Sequence, residues 1–227
     1  MIVIEALHKN YGKQTVLQNI NLNFERGKVY GIVGENGAGK TTLFKCIAGL
    51  ETFTGSINYN NGILKNVCGF LPTNPYFLTK ITGKEYLQLL CNARKIIESD
   101  FESKNVFDLP LNKYAETYST GMKKKLALTG ILLQQNSVFI LDEPFNGVDL
   151  QSNILIQAII KRLKAQGNII LIASHILAAL QPLCDELLLL KNGQLNQSIN
   201  PQDFEKIEQQ MMDGFLAEKL ERLEGMV

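Results

Sequence analysis

The sequence predicts an α/β fold in which a mainly parallel sheet is flanked by helices. Three observations carry that prediction. Short, continuous apolar runs at residues 138–141 (VFIL) and 169–173 (IILIA) are the mark of parallel strands covered on both faces. Between them Ile154, Ile156, Ile159, Ile160 and Leu163 recur at the spacing of an amphipathic helix that Gly167 can end. A further apolar run, residues 28–33 (KVYGIV), enters a glycine-rich turn, after which Leu43, Phe44, Ile47 and Leu50 follow at helical spacing. Strand–helix–strand succession of this kind builds a doubly wound sheet with its helices outside.

The remaining elements follow in chain order. Ile2 and Ile4 alternate with Val3 and Glu5, and Ile20, Leu22 and Phe24 alternate with Asn19, Asn21 and Asn23, so the first part reads as β structure. Asn61-Gly62 is a turn signal, followed by a strand at residues 67–71. Pro72, Pro75 and residues 79–83 break the β pattern. From Lys84 to about Gln135 the signals are helical, with Tyr86, Leu87, Leu89, Leu90 and Ala93 lining one helix face, and the polar stretch 98–112 reads as shorter helices and loops. This helical stretch, about residues 76–135, sits as an insertion in one domain spanning 1–227. Leu187–Leu190, Asn192-Gly193 and Leu195 read as a final hairpin, and Pro201 opens a charged helix over residues 202–224, part of a short C-terminal helical tail at about 201–227.

Composition narrows the function classes. A net charge of +1 gives no overall field that would draw the chain to nucleic acid or an anionic membrane. No apolar run approaches the roughly 18 residues of a membrane span. Cys46, Cys68, Cys91 and Cys184 form no CxxC pair, so reduced core thiols are expected. Residues 1–6 (MIVIEA) lack the order of a signal peptide.

Residues 34–42 (GENGAGKTT) carry the chemistry. A glycine-rich turn between a strand and a helix, ending in Lys-Thr, is a phosphate-binding loop. Gly34, Gly37 and Gly39 allow backbone that a side chain would block, so the N–H groups of the loop through Glu35, Asn36, Ala38 and Thr42 can turn towards phosphate oxygens. Lys40 reaches the β/γ-phosphates, the Thr41 hydroxyl can join the shell of a Mg²⁺ ion, and the helix start adds its free amides. The chain is therefore expected to bind a nucleoside triphosphate. Asp142 and Glu143 end the apolar run 138–141, at the end of an open α/β sheet where ligands bind. Asp142 can accept a water bound to Mg²⁺, and Glu143 can polarise an attacking water. His175 closes the run 169–173; His8 reads as a surface strand residue. Residues 118–122 (YSTGM) precede a helical run at 123–133, with Ser119 placed to cap it and a second anion-binding helix start as the alternative to a simple cap. The triplet Lys123-Lys124-Lys125 reads as a solvated helix face, or else as a charge complement to a partner.

Together and in this order, the motifs resemble those of the ATP-binding subunit of an ATP-binding cassette (ABC) transporter, from Leu7 to about Ser198. The resemblance implies a P-loop NTPase with an ABC-type core, an N-terminal antiparallel β subdomain and an inserted α-helical subdomain. By it, Tyr11 matches the aromatic that stacks on adenine, residues 34–42 are the Walker A loop, Asp142 and Glu143 are the Walker B aspartate and catalytic glutamate, and His175 is the switch histidine. Ser119, Gly121 and Met122 fall in the signature motif and Asp149 in the D-loop (residues 146–149). Two such domains pair head to tail, as a homodimer or with a paired ABC subunit, so that each signature completes the other copy's ATP site. Three departures stand out. Thr120 and Met122 replace the usual Gly and Gln of the signature. Lys125 stands where an arginine is common. Thr73 stands where a glutamine usually touches Mg²⁺, and its shorter side chain is expected to need a bridging water and to give slower or differently coupled hydrolysis.

The resemblance implies an ATPase, using ATP and Mg²⁺, that powers transport through a separate transmembrane permease gripped near residues 73–78. Export is the expected direction, as in bacterial exporters of antibiotics, peptides or lipids. The expected location is the cytoplasmic face of a bacterial plasma membrane, held there by the permease; no nucleic-acid partner is expected. The alternatives are a soluble ABC-type ATPase acting on nucleic acid or ribosomes, and a non-hydrolysing, ATP-gated binding module.

Overall fold

Alternation at the start of the chain closes an antiparallel sheet. In the computed structural model, which describes residues 1–175, 177–199 and 203, β1 (Ile2–Tyr11) pairs antiparallel with β2 (Gln14–Phe24) and with β4 (Thr54–Tyr59), giving the order β2-β1-β4. The second sheet is built from the apolar runs. Its order is β5-β6-β7-β3-β8-β9, from β3 (Val29–Val33), β5 (Cys68–Leu71), β6 (Val138–Asp142), β7 (Ile169–Ala173), β8 (Glu186–Lys191) and β9 (Gln194–Ile199). All its neighbours are parallel except β8 and β9, the predicted hairpin. The helix expected over residues 202–224 lies, apart from residue 203, outside the described residues.

Both faces of the large sheet are covered, which is why its strands read as unbroken apolar runs. Val29, Phe139, Leu141, Ile170 and Ile172 pack on one face with α2 (Gly83–Ala93), α3 (Thr120–Leu133) and α4 (Leu150–Ala165). Tyr30, Ile32, Val138, Ile140, Ile169 and Leu171 pack on the other with α1 (Lys40–Ile47) and with Ile2, Ile4, Ile20 and Phe24 of the antiparallel sheet. A short α5 (Leu177–Leu180) precedes β8. All four cysteines are buried and free, as expected.

Several expectations shift in detail. The first helix stops at Ile47: Gly49 takes a left-handed φ of 72°, and the Leu50 N–H returns to the Lys45 carbonyl at 2.8 Å, leaving the Leu50 side chain exposed. On α2, Leu87 and Cys91 face the core while Leu89 and Ala93 face outward. A Thr82–Glu85 capping box fixes where that helix starts. On α4, Ile156, Ile160 and Leu163 are buried and Ile154 is exposed. The stretch 98–112 forms turns without a helix, yet it buries Phe101, Phe107, Leu109 and Leu111.

Candidate active site

Because β5, β6, β7 and β3 are adjacent and parallel, their C-terminal ends emerge side by side. Each is followed at once by a candidate residue: Thr73 after β5, Asp142 and Glu143 at the end of β6, His175 after β7, and the glycine-rich loop after β3. They meet in a cleft of about 660 Å³ whose lining includes Asn36, Gly37, Gly39, Lys40, Thr41, Thr42, Thr73, Asp142, Glu143 and His175, joined by Val16 and Asn146.

The loop holds its shape by two kinds of glycine. Gly39 has φ 107°, left-handed backbone that side chains resist. Gly34 lies so close to the neighbouring strand β8 that a Cβ would sit 2.3 Å from the Leu190 carbonyl oxygen. Lys40 folds back under the loop, its Nζ donating to the carbonyls of Gly34 at 2.7 Å and Glu35 at 3.0 Å. Burial lowers the Lys40 pKa, opposed by the charges of Glu143 and Asp142. No side chain caps α1, so the first amides of that helix are left for a ligand.

The two carboxylates are held differently. Asp142 Oδ2 accepts hydrogen bonds from Thr41 Oγ1 at 2.7 Å and from Thr73 Oγ1 at 2.8 Å. Its Oδ1 is buried with no hydrogen-bond partner among the described residues. Glu143 has a left-handed φ of 52°, backbone that costs about 1–3 kcal/mol and persists only where its surroundings over-determine it. Its N–H donates to the Ala173 carbonyl at 2.9 Å, and its Oε1 accepts from the His175 backbone N–H at 3.0 Å. His175 Nδ1 lies 2.9 Å from the same oxygen. The β6–β7 register, with Asp142 opposite Ala173, brings this pair together.

The lysine triplet was read as a solvated helix face or a charge complement to a partner, yet its middle member, Lys124, is 1% exposed. Its Nζ donates to the carbonyls of Glu143 at 2.5 Å and Asn146 at 2.9 Å, and burial lowers its pKa against the pull of Glu143 and Asp142. Lys125 is also engaged, reaching Asp149 Oδ2 and Ser152 Oγ at 3.1 Å each. A lone lysine triplet on a helix carries no signal of this. The apolar residues that flank it, Leu126 to Leu128, were the available hint.

Other candidates lie apart from the cleft. Ser119 caps α3, its Oγ accepting from the Met122 N–H at 3.3 Å, and neither Ser119, Gly121 nor Met122 lines the cleft. Asp149 caps α4 through Ser152. The Tyr11 ring lies beneath Lys9 Nζ, 4.6 Å from the ring centre, with its outer part exposed. His8 is exposed on β1, as expected, with its Nδ1 accepting the Asn19 N–H at 3.3 Å.

A loop of this kind, between a parallel strand and a helix and facing an Asp-Glu pair on the next strand but one, defines a P-loop nucleotide-binding domain. The chain belongs to the ABC transporter family: the family model described as ABC transporter matches residues 17–146, and within that family this chain is an ATPase subunit. It is 32% identical to a bacitracin transport ATP-binding protein of Enterococcus faecalis, across 97% of this chain and 77% of that one. It is also 32% identical to a lantibiotic transport ATP-binding protein of Streptococcus pyogenes, across 86% and 89%. Among solved structures, the ATP-binding subunit of an ABC transporter superposes with a TM-score of 0.79 at 28% identity, covering 89% of this chain and 90% of the other. A dimeric ATP-binding cassette bound to ADP and Pi, 19% identical, shares the fold with a TM-score of 0.78. No helix among the described residues is long and apolar enough to cross a membrane.

Proposed function

We propose that this chain binds and hydrolyses ATP to drive export through a separate transmembrane partner. One observation carries the hydrolytic reading: the ends of four adjacent strands bring Lys40, Thr41, Thr73, Asp142, Glu143 and His175 into one cleft. Lys40 and the open amides of α1 hold the β- and γ-phosphates of ATP. Glu143 Oε1 accepts a proton from the water that attacks the γ-phosphorus, as the bond from phosphorus to the bridging oxygen of ADP breaks. His175, hydrogen-bonded to the same carboxylate, orients it. Tyr11, an exposed aromatic residue on β1, stacks on the adenine.

The oxygen-only set formed by Thr41, Asp142 and Thr73, with Asp142 Oδ1 unpartnered among the described residues, suits a hard divalent cation. Mg²⁺ bound with ATP would be held there and would supply charge neutralisation on the phosphates. Thr73 fits this set directly through its bond to Asp142, so the shorter side chain at that position stays within the cluster.

Ser119, Gly121, Met122 and Asp149, which do not line their own cleft, act across the interface of a head-to-tail pair. The names of the two curated relatives, for transport of bacitracin and of lantibiotics, support a bacterial transporter of peptide antibiotics as the kind of system served. The Gly121-Met122 ending of the signature is the basis for export, and the permease holds the chain to the cytoplasmic face of the membrane.

The test is ATP turnover by the purified chain and by Glu143→Gln. Loss of the base is expected to slow turnover about 100- to 10,000-fold while ATP still binds. An unmutated chain that binds ATP without turning it over would sink the hydrolytic reading in favour of an ATP-gated module. Affinity capture from membranes checks the partner: a multi-span protein is expected, and capture of ribosomes in its place would overturn the transport reading.

A further inference from the structure

Glu143 stands on backbone that its own residue type resists, so something outside β6 must hold it. The turn from Glu143 to Asn146 has a single internal backbone bond, from the Asn146 N–H to the Glu143 carbonyl at 3.3 Å. Three groups on one face of α3, at spacings of three and four residues, meet this turn and the loop after it. Gly121 approaches so closely that a Cβ there would lie 2.6 Å from the Gly147 carbonyl oxygen. Lys124 Nζ donates to both carbonyls that bound the turn, Glu143 and Asn146. Lys125 holds Asp149 at the far end of the loop.

Lys124 is the unusual member of this set. An apolar side chain of similar length would fill its space without the desolvation that burying an ammonium entails. The two carbonyls are what the charge answers, since charge-assisted hydrogen bonds are about twice as strong as neutral ones. Resting on the hydrolytic reading above, we propose that Lys124 is a positioning residue for the reaction. It acts through Glu143: by holding the carbonyls at both ends of the turn it fixes the left-handed backbone from which the Glu143 carboxylate points at His175 and into the cleft. Lys124 does not line the cleft.

The experiment compares Lys124→Met, which keeps length and removes charge and donors, with Lys124→Arg, which restores both. Steady-state kinetics with ATP and Mg²⁺, equilibrium ATP binding and amide hydrogen exchange are read on the full chain. For Lys124→Met we expect kcat to fall about 10- to 100-fold, as for loss of a group that orients a catalytic residue. KM and ATP affinity should stay within about twofold, since uniform binding is untouched. Exchange should quicken at residues 143–147 while residues 126–133 of α3 keep their protection, and Lys124→Arg should recover most of kcat. A Lys124→Met chain with unmutated kcat overturns the proposal, as does a loss of kcat accompanied by faster exchange throughout α3, which would make the lysine structural only. Should Lys124→Met not yield folded protein, Lys124→Gln, which keeps donors but lacks the reach, is judged by the same criteria. Failure of hydrolysis in general shows in the unmutated chain, and the exchange measurement still decides whether Lys124 holds the turn.

Discussion

Two helices of this protein begin with the same kind of sequence, a glycine-containing turn with hydroxyl residues, and end up chemically opposite. At the start of α1 no side chain caps the helix, Gly39 holds left-handed backbone, and Lys40 and the two carboxylates at the end of β6 line the same cleft. At the start of α3 the Ser119 hydroxyl accepts the Met122 N–H, and Ser119, Gly121 and Met122 lie outside the lining of the cleft. The first helix start is left open to a ligand by its own chain. The second is already partly satisfied, so an anion held there must bring most of its own wall. The difference teaches that a helix N-terminus becomes a phosphate site through what the sheet places around it, and the dipole alone does not make one.

The comparison breaks most readily at α1. Lys40→Met removes a buried ammonium that holds two loop carbonyls, Gly34 and Glu35, and that faces the cleft. Truncating a buried, hydrogen-bonded charge costs about 2–5 kcal/mol, so ATP affinity measured by calorimetry should fall at least about tenfold. Retained affinity would mean that backbone amides alone hold the triphosphate, and the contrast with α3 would lose its main term.

The second test sharpens the contrast. Ser119→Ala removes the cap of α3, an effect of about 0.5–2 kcal/mol on stability, read as a lower urea midpoint. ATP affinity of the isolated chain should not change, because Ser119 lies outside the cleft. Under the proposed pairing, turnover should fall and depend more steeply on protein concentration. Weakened ATP binding at concentrations where the chain is monomeric would show that α3 serves its own cleft.

Much of this architecture could be read from the chain because it is local. A strand, a glycine turn and Lys-Thr occupy consecutive residues, and Asp142-Glu143 stand at the end of their strand, so parallel strands of one sheet must deliver both to the same end. What escaped was tertiary. Lys124 looked like surface because a lysine triplet gives no sign that the loop at 143–148 will dock on it. Leu89, Ala93 and Ile154 looked like core because α2 and α4 carry apolar residues on more than one face, and only packing against the sheet selects Leu87, Cys91 and Ile156. The bond of the Thr73 hydroxyl to Asp142, at 2.8 Å, likewise depends on the path of the chain after Pro72, which no local pattern gives.

The smallest expected effect lies at α4, a helix start closed as firmly as that of α3. Asp149 accepts the Ser152 N–H at 2.9 Å and the Ser152 hydroxyl at 2.8 Å, with Lys125 Nζ at 3.1 Å. These bonds, the Ser152 amide first, hold its carboxyl well below the ordinary value of 3.8. A carboxylate whose folded pKa is depressed adds stability that is complete above its unfolded pKa and is lost as pH falls through the folded one. Asp149→Asn keeps an acceptor at the cap and removes the charge. Its urea midpoint should therefore lie slightly below that of the unmutated chain at pH 7, and the gap should close as pH is lowered beneath 3.8. ATP affinity of the monomer should be the same in both, since the carboxylate is turned to its own helix and outside the cleft. A gap that is constant down to acid pH would assign the effect to packing and remove the charge from the account of this cap.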